Sequence, residues 1–160
     1  MDQRSGRTGG ARRCTRLPLP RGPRALPPAP RAVVTLIAAA MLYGACVHLA
    51  GLVLWGFCSR TWAPLWLNGF WNSLIVFDSL SGALLLKGRR SGLYLTCLTM
   101  FADLVSNLYA VYAVRHSGLG AGAADVVVLL AFGLFVFALA PWLHGCLGRT
   151  LRTHRHPAIR

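Results

Sequence analysis

Four apolar runs dominate this sequence and limit the folds that it can adopt. Each run is about 25 residues long and carries at most one charged side chain. At a rise of about 1.5 Å per residue, a helix of that length crosses the ~30 Å hydrocarbon core of a bilayer. Short connections make consecutive helices antiparallel neighbours. The sequence therefore predicts an all-α integral membrane protein, an antiparallel up-down four-helix transmembrane bundle, with helices at 32–57, 62–86, 91–114 and 123–147.

The segments on either side of this 32–147 transmembrane domain are basic and contain too few apolar residues to form a core. Residues 1–31 hold eight Arg and six Pro, which predicts a disordered cytoplasmic arm. Residues 148–160 hold four Arg and two His, which predicts a basic cytoplasmic tail. We expect both segments to contact anionic lipid head groups. A net charge of +13 is also typical of nucleic-acid binding, but four apolar runs leave no soluble domain for it, so we expect no nucleic-acid partner.

The distribution of basic residues predicts the orientation of the helices. With the N-terminus inside, the arm, the 87–90 turn and the tail together place fifteen basic residues on the inner side. The outer loops then hold only two, Arg60 and Arg115. Cytoplasmic loops of membrane proteins carry an excess of Lys and Arg. Both termini are therefore predicted to be cytoplasmic, in a cell or inner membrane.

Two aspartates lie within the predicted helices, where an ionisable group costs ~2.5–3.5 kcal/mol on insertion scales. Counted from the basic 87–90 turn, Asp78 lies roughly 13 Å and Asp103 roughly 19 Å into the membrane. Three more polar side chains fall roughly 22–26 Å from the inner side: His48, Asn72 and Asn107. Together these five residues form the predicted binding site, for a proton, a cation or a small polar solute.

The aspartate pair allows two interpretations. Two carboxylates that face each other in a low-dielectric interior do not both ionise, so at least one is predicted to hold a proton at neutral pH. No basic residue is predicted at that depth to neutralise Asp78 or Asp103. The shared proton can serve a structural hydrogen bond or a proton or cation site.

Amides and hydroxyls within the helices also have a purely structural interpretation. Such side chains form interhelical hydrogen bonds worth about 0.6 kcal/mol each in membranes. The residues to which this interpretation applies are Asn68, Asn72, Asn107, Ser73 and Ser106.

Motifs for catalysis or cofactor binding are missing from the sequence. It contains no P-loop, nucleophile elbow, H-E-x-x-H or C-x-x-C, and its Cys and His spacings do not match zinc. We therefore predict no cofactor, no metal and no catalytic residue, and an intramembrane enzyme is disfavoured.

Two functional hypotheses remain open. In the first, the polar residues bind or transport a solute, and since four helices rarely enclose a path alone, this implies a homo-oligomer or a partner membrane protein. In the second, the chain is a non-catalytic subunit or assembly factor of a larger membrane complex. Aspartates that face the bundle interior favour the first hypothesis, and aspartates that face lipid favour the second.

Overall fold

The computed structural model describes residues 26–114 and 123–152, and over those residues the chain is helical with no strand. Four helices in this part are long and apolar enough to cross a membrane. The predicted all-α chain with four long apolar helices is therefore confirmed. The elements are α1 (Pro28–Trp55), α2 (Leu65–Leu86), α3 (Arg90–Tyr109), a π-helical extension of α3 (Ala110–Val114) and α4 (Ala123–Arg152).

The first and last helices are longer than the apolar runs that predict them. α1 begins at Pro28, four residues before the predicted boundary, because prolines are tolerated in a first helical turn, where backbone N–H groups have no helical partner. Leu26 is buried against the core, so residues 26–31 of the predicted arm are part of the folded structure. α4 continues through Pro141 to Arg152 and includes the start of the predicted tail. The predictions for residues 1–25 and 153–160 lie outside the described residues.

α1 and α2 approach each other closely at Gly82. A β-carbon at Gly82 would lie 2.8 Å from Leu42 Cγ and 3.1 Å from the carbonyl oxygen of Ala38. Small residues at a helix interface allow two backbones to come together in this way. The contact sets the distance between α1 and α2 at one end of the pair.

The turn between α2 and α3 is closed by Gly88, whose φ of 67° lies in the left-handed region. The Gly88 amide donates to Leu85 O at 2.8 Å, and the Arg89 amide donates to Leu84 O at 3.0 Å. This is the Schellman pattern, which satisfies the last carbonyls of a helix and needs a residue that tolerates positive φ. Gly92 then packs against α2, because a β-carbon there would lie 2.6 Å from the Leu85 backbone nitrogen.

Aromatic pairs join the start of one helix to the end of the next. Trp66 at the start of α2 contacts Tyr109 at the end of α3, with ring centroids 5.5 Å apart. Tyr94 at the start of α3 contacts His144 near the end of α4, at 5.7 Å. Each helix therefore lies beside its neighbour in the chain.

Two core clusters fill the structure, and α1 contributes to only one of them. The first cluster includes Val34 and Ile37 of α1, with residues from the other three helices. The second is centred on Leu67 and Trp71 of α2. α1 has no buried residue after Ala45. The C-terminal half of α1 therefore does not pack into an apolar core.

We expect Gly92→Ala to lower the free energy of unfolding by about 1–3 kcal/mol, because the new methyl group overlaps backbone atoms that cannot rotate away. Gly145→Ala is the matched control, since nothing lies within 4 Å of its β-carbon position. The measurement is unfolding by sodium dodecyl sulfate in detergent micelles, followed by circular dichroism. Equal stability of the two variants would contradict the close contact of α2 and α3.

Candidate functional site

Asp78 is a buried acid at the interface between α1 and α2. Its side chain is 7% exposed. A β-carbon at Gly44 of α1 would lie 2.9 Å from Asp78 Oδ2, so the carboxyl occupies the space that the glycine leaves open. Among the described residues, none donates a hydrogen bond to this carboxyl. The Asp78 carboxyl, a group that is expensive to bury, therefore points at α1 and accepts no hydrogen bond from the described residues.

Ser81, one turn further along the same face of α2, is in a similar position. It is 0% exposed, and its hydroxyl oxygen has no hydrogen-bond partner. Buried polar atoms are nearly always paired, and unpaired ones in native structures tend to mark sites of ligands or of chemistry. α2 thus presents two unpaired polar side chains within one helical turn.

Asp103 is the second acid, and it lies half-buried on α3. Asn107 donates from Nδ2 to Asp103 Oδ1 at 2.9 Å and to Asp103 O at 2.9 Å. Asp103 also interacts electrostatically with Asp78. The Asp78 carboxyl thus points at α1, whereas the Asp103 carboxyl is held by a side chain of its own helix.

Arg60, which the sequence places in an outer loop, lies against α2. Its charge acts on Asp103 and His48, whereas the sequence predicts no basic residue at the depth of the acids. The guanidinium carbon lies 4.4 Å from the centroid of the Trp71 ring, in a cation–π contact. A cation from the α1–α2 loop therefore lies against α2.

The Asn68 side chain holds the backbone of Arg60 against α2. Its carbonyl oxygen accepts from the Arg60 amide at 3.2 Å, and its amide nitrogen donates to Arg60 O at 3.0 Å and to Ala63 O at 3.1 Å. Asn72, one turn later, donates to Phe57 O at 2.9 Å. These bonds fold the loop back onto α2. Two asparagines four residues apart on α2, close after an arginine, are the sequence signal that could have revealed this arrangement.

The amides and hydroxyls do not form the interhelical hydrogen bonds that the sequence suggested. Asn68 and Asn72 bond to loop carbonyls, as described above. Ser73 donates to Phe70 O at 2.6 Å, and Ser106 donates to Asp103 O at 2.8 Å. Asn107 likewise bonds within α3. A carbonyl three or four residues back in the same helix is within easy reach of a short polar side chain, and it competes successfully with a neighbouring helix.

A partly open cavity of about 260 Å³ lies between the C-terminal half of α1 and the loop. Residues that line it include His48 and Trp55 from α1, Ser59 and Arg60 from the loop, and Asn72 from α2. Two of the five predicted site residues, His48 and Asn72, therefore share this cavity. Asp78, Asp103 and Asn107 are not among the residues that line it.

Among residues 26–114 and 123–152, no group of three His, Cys, Asp or Glu side chains could hold a metal ion. The four cysteines described are free thiols: Cys46, Cys58, Cys97 and Cys146. No protein-family model, curated protein or solved structure matches this chain. We therefore infer the function from the geometry of the site.

Proposed function

We propose that the chain is an integral membrane protein whose four helices cross the bilayer up and down, with both termini in the cytoplasm. The large apolar side chains on its surface support insertion, since Tyr43 and Val53 are each 73% exposed and Val128 is 69% exposed. Such a surface is suited to lipid and is costly in water. The contacts between the start of α2 and the end of α3, and between the start of α3 and the end of α4, support the antiparallel arrangement of these helices.

We propose further that Asp78 and Asp103 bind one proton, or one monovalent cation in its place. The observation that carries this proposal is the Asp78 carboxyl, which is 7% exposed and has no hydrogen-bond donor among the described residues. An ionised carboxylate in that setting is expensive, and a proton removes the cost. Ser81 adds a second unpaired oxygen on the same face of α2, which a bound ion could also contact.

The charges of the region support a single bound charge. Two ionised aspartates and Arg60 leave one negative charge when His48 is neutral. One proton on the aspartate pair makes the cluster neutral, and net neutrality is the cheapest state in a low-dielectric interior. The stoichiometry that follows is one proton per chain.

A second candidate function is a non-catalytic subunit or assembly factor. It is favoured by the C-terminal half of α1, whose side chains after Ala45 pack into neither core cluster, so that another membrane protein or a second copy could cover them. The burial of Asp78 between helices, rather than at the lipid-facing surface, supports the first candidate.

The orientation leads to a prediction about fusions. We expect a reporter after Arg160 and one inserted in the Lys87–Arg90 turn to read cytoplasmic, because fifteen basic residues are inside and two are outside. The measurement is a paired phosphatase and fluorescent-protein fusion assay. A phosphatase-active fusion at Arg160 would contradict the proposed topology.

The aspartate pair leads to a prediction about protonation. We expect the infrared carbonyl band of a protonated carboxyl at pH 7, and we expect Asp78→Asn or Asp103→Asn to abolish or shift that band, because the proposed proton belongs to the pair. Asp2→Asn is the control, since it removes a carboxyl outside the apolar runs.

Two substitutions of Asp103 are expected to differ in their effect on stability. Asp103→Asn keeps the fold because an amide oxygen still accepts from Asn107, whereas Asp103→Leu removes the acceptor of the Asn107–Asp103 Oδ1 bond and lowers the free energy of unfolding, measured by unfolding in sodium dodecyl sulfate. Two fully ionised carboxylates at pH 7 would remove the proposed proton site.

A further inference from the structure

The Ser81 hydroxyl does not bond to its own helix, unlike other hydroxyls of the described residues. Four hydroxyls donate to a carbonyl three or four residues back in the same helix: Thr35, Ser73, Thr96 and Ser106. A carbonyl of the preceding turn is within reach of any helical serine. Ser81, which is 0% exposed, nevertheless makes no hydrogen bond to the described residues. Since an unpaired buried hydroxyl is costly, its oxygen indicates a bound species at this position.

The contact between Gly92 and α2 sets the register of α2 against α3. A β-carbon at Gly92 would meet backbone atoms of Leu84 and Leu85, so these residues lie opposite Gly92 beside the turn. In an antiparallel pair, Ser81 is one helical turn back from Leu85, and Thr96 is one turn on from Gly92. Both side chains are 0% exposed. Ser81 and Thr96 therefore lie inside the protein at the same level of the two helices.

The next level of the α2–α3 pair holds a carboxyl and another hydroxyl. Asp78 is seven residues before Leu85, and Thr99 is seven residues after Gly92. Their side chains are 7% and 6% exposed, and the Asp78 carboxyl also fills the space beside Gly44 of α1. Two successive levels of this interface therefore hold one carboxyl and three hydroxyls, all buried.

These oxygens are suited to a small monovalent cation. Thr96 donates its proton to Gly92 O at 2.8 Å, so the remaining lone pairs of its oxygen can only accept. Carboxylate and hydroxyl oxygens are hard ligands, which hard cations prefer. The single carboxylate of Asp78 balances one positive charge, which favours a monovalent ion over a divalent one.

The close approach of the helices favours the smaller of the common monovalent ions. A β-carbon would lie 2.9 Å from its nearest neighbour at Gly44, 2.8 Å at Gly82 and 2.6 Å at Gly92. These contacts hold α1, α2 and α3 together on either side of Asp78 and Ser81. A tightly held set of oxygens that cannot move apart favours Na⁺ over the larger K⁺.

We propose that a sodium ion binds at the Asp78 carboxylate, with the hydroxyl oxygens of Ser81 and Thr96 as further ligands. The sodium ion takes the place of the proton on Asp78, which leaves to solvent, so the total charge of the site is unchanged. Thr99 adds another oxygen at the level of Asp78. The inference rests on the proposed function in one respect, that Asp78 holds a single positive charge, and it adds the identity of the ion and its hydroxyl ligands.

The test follows the infrared carbonyl band of the protonated carboxyl in the full-length protein, in phosphatidylcholine nanodiscs at pH 7. Sodium chloride replaces potassium chloride at constant ionic strength. We expect sodium to remove the band saturably, with one proton released per chain, and potassium to leave it. Ser81→Ala should keep the band in potassium and weaken the response to sodium roughly tenfold or more, because one oxygen ligand of a cation is lost. Ser79→Ala is the matched control, a half-buried serine two residues away on α2.

Further variants separate loss of a ligand from loss of the fold. Ser81→Ala removes an unpaired buried hydroxyl, so in potassium chloride it should resist unfolding by sodium-free dodecyl sulfate at least as well as the unmodified protein. Thr96→Ser keeps a hydroxyl and should keep the response to sodium, whereas Thr96→Val, of similar shape, should weaken it.

The outcomes separate this inference from the proposed proton site. A carboxyl band that is present and does not respond to sodium overturns the sodium site and leaves the proton site intact. Equal removal of the band by potassium, or a sodium response that survives both Ser81→Ala and Thr96→Val, also overturns the sodium site. Absence of the band in potassium contradicts the proton site instead. Sodium-specific resistance to unfolding that Ser81→Ala removes then still supports the sodium site, and its absence overturns it.

Discussion

The close approach of α1 and α2 at two glycines is the constraint on which the polar site depends. Gly82 lets α1 come within contact of the α2 backbone, and Gly44 leaves the space that the Asp78 carboxyl fills. Any side chain at Gly44 would meet Asp78 Oδ2. The acid is thereby held inside the protein and away from its surface, where its charge has to be offset by a proton, an ion or a nearby cation.

The nearby cation comes from a loop that folds back onto α2. Asn68 satisfies backbone groups on both sides of Arg60, and the Trp71 ring contacts its guanidinium. Arg60 also lines the cavity together with His48 and Asn72. Arg60 therefore lies over the Trp71 ring and is also part of the cavity lining.

Hydropathy and length were sufficient to predict the helices, because an apolar run of that length has few other structures open to it. Counting residues from the basic turn predicts similar depths for Asp78 and Asp103, and that remains a prediction. The rotation of α2 that turns Asp78 toward Gly44 could not be predicted, since it follows from the α1–α2 contact. The position of Arg60 was not predicted, because counting residues from the basic turn places a loop residue outside the membrane. The Asn68 side chain instead holds this loop against α2.

We propose that the cavity between α1 and the α1–α2 loop lies in the outer half of the bundle and opens to water. Its most direct test is thiol labelling by a membrane-impermeant reagent, added to either side, after the five native cysteines are replaced. His48→Cys lines the cavity, and Leu49→Cys, at the same depth and 47% exposed on the apolar surface, is its control. The account predicts rapid labelling of His48→Cys from the outside and slow labelling of Leu49→Cys. Equal labelling of both positions, or labelling of His48→Cys only from the cytoplasmic side, would contradict it.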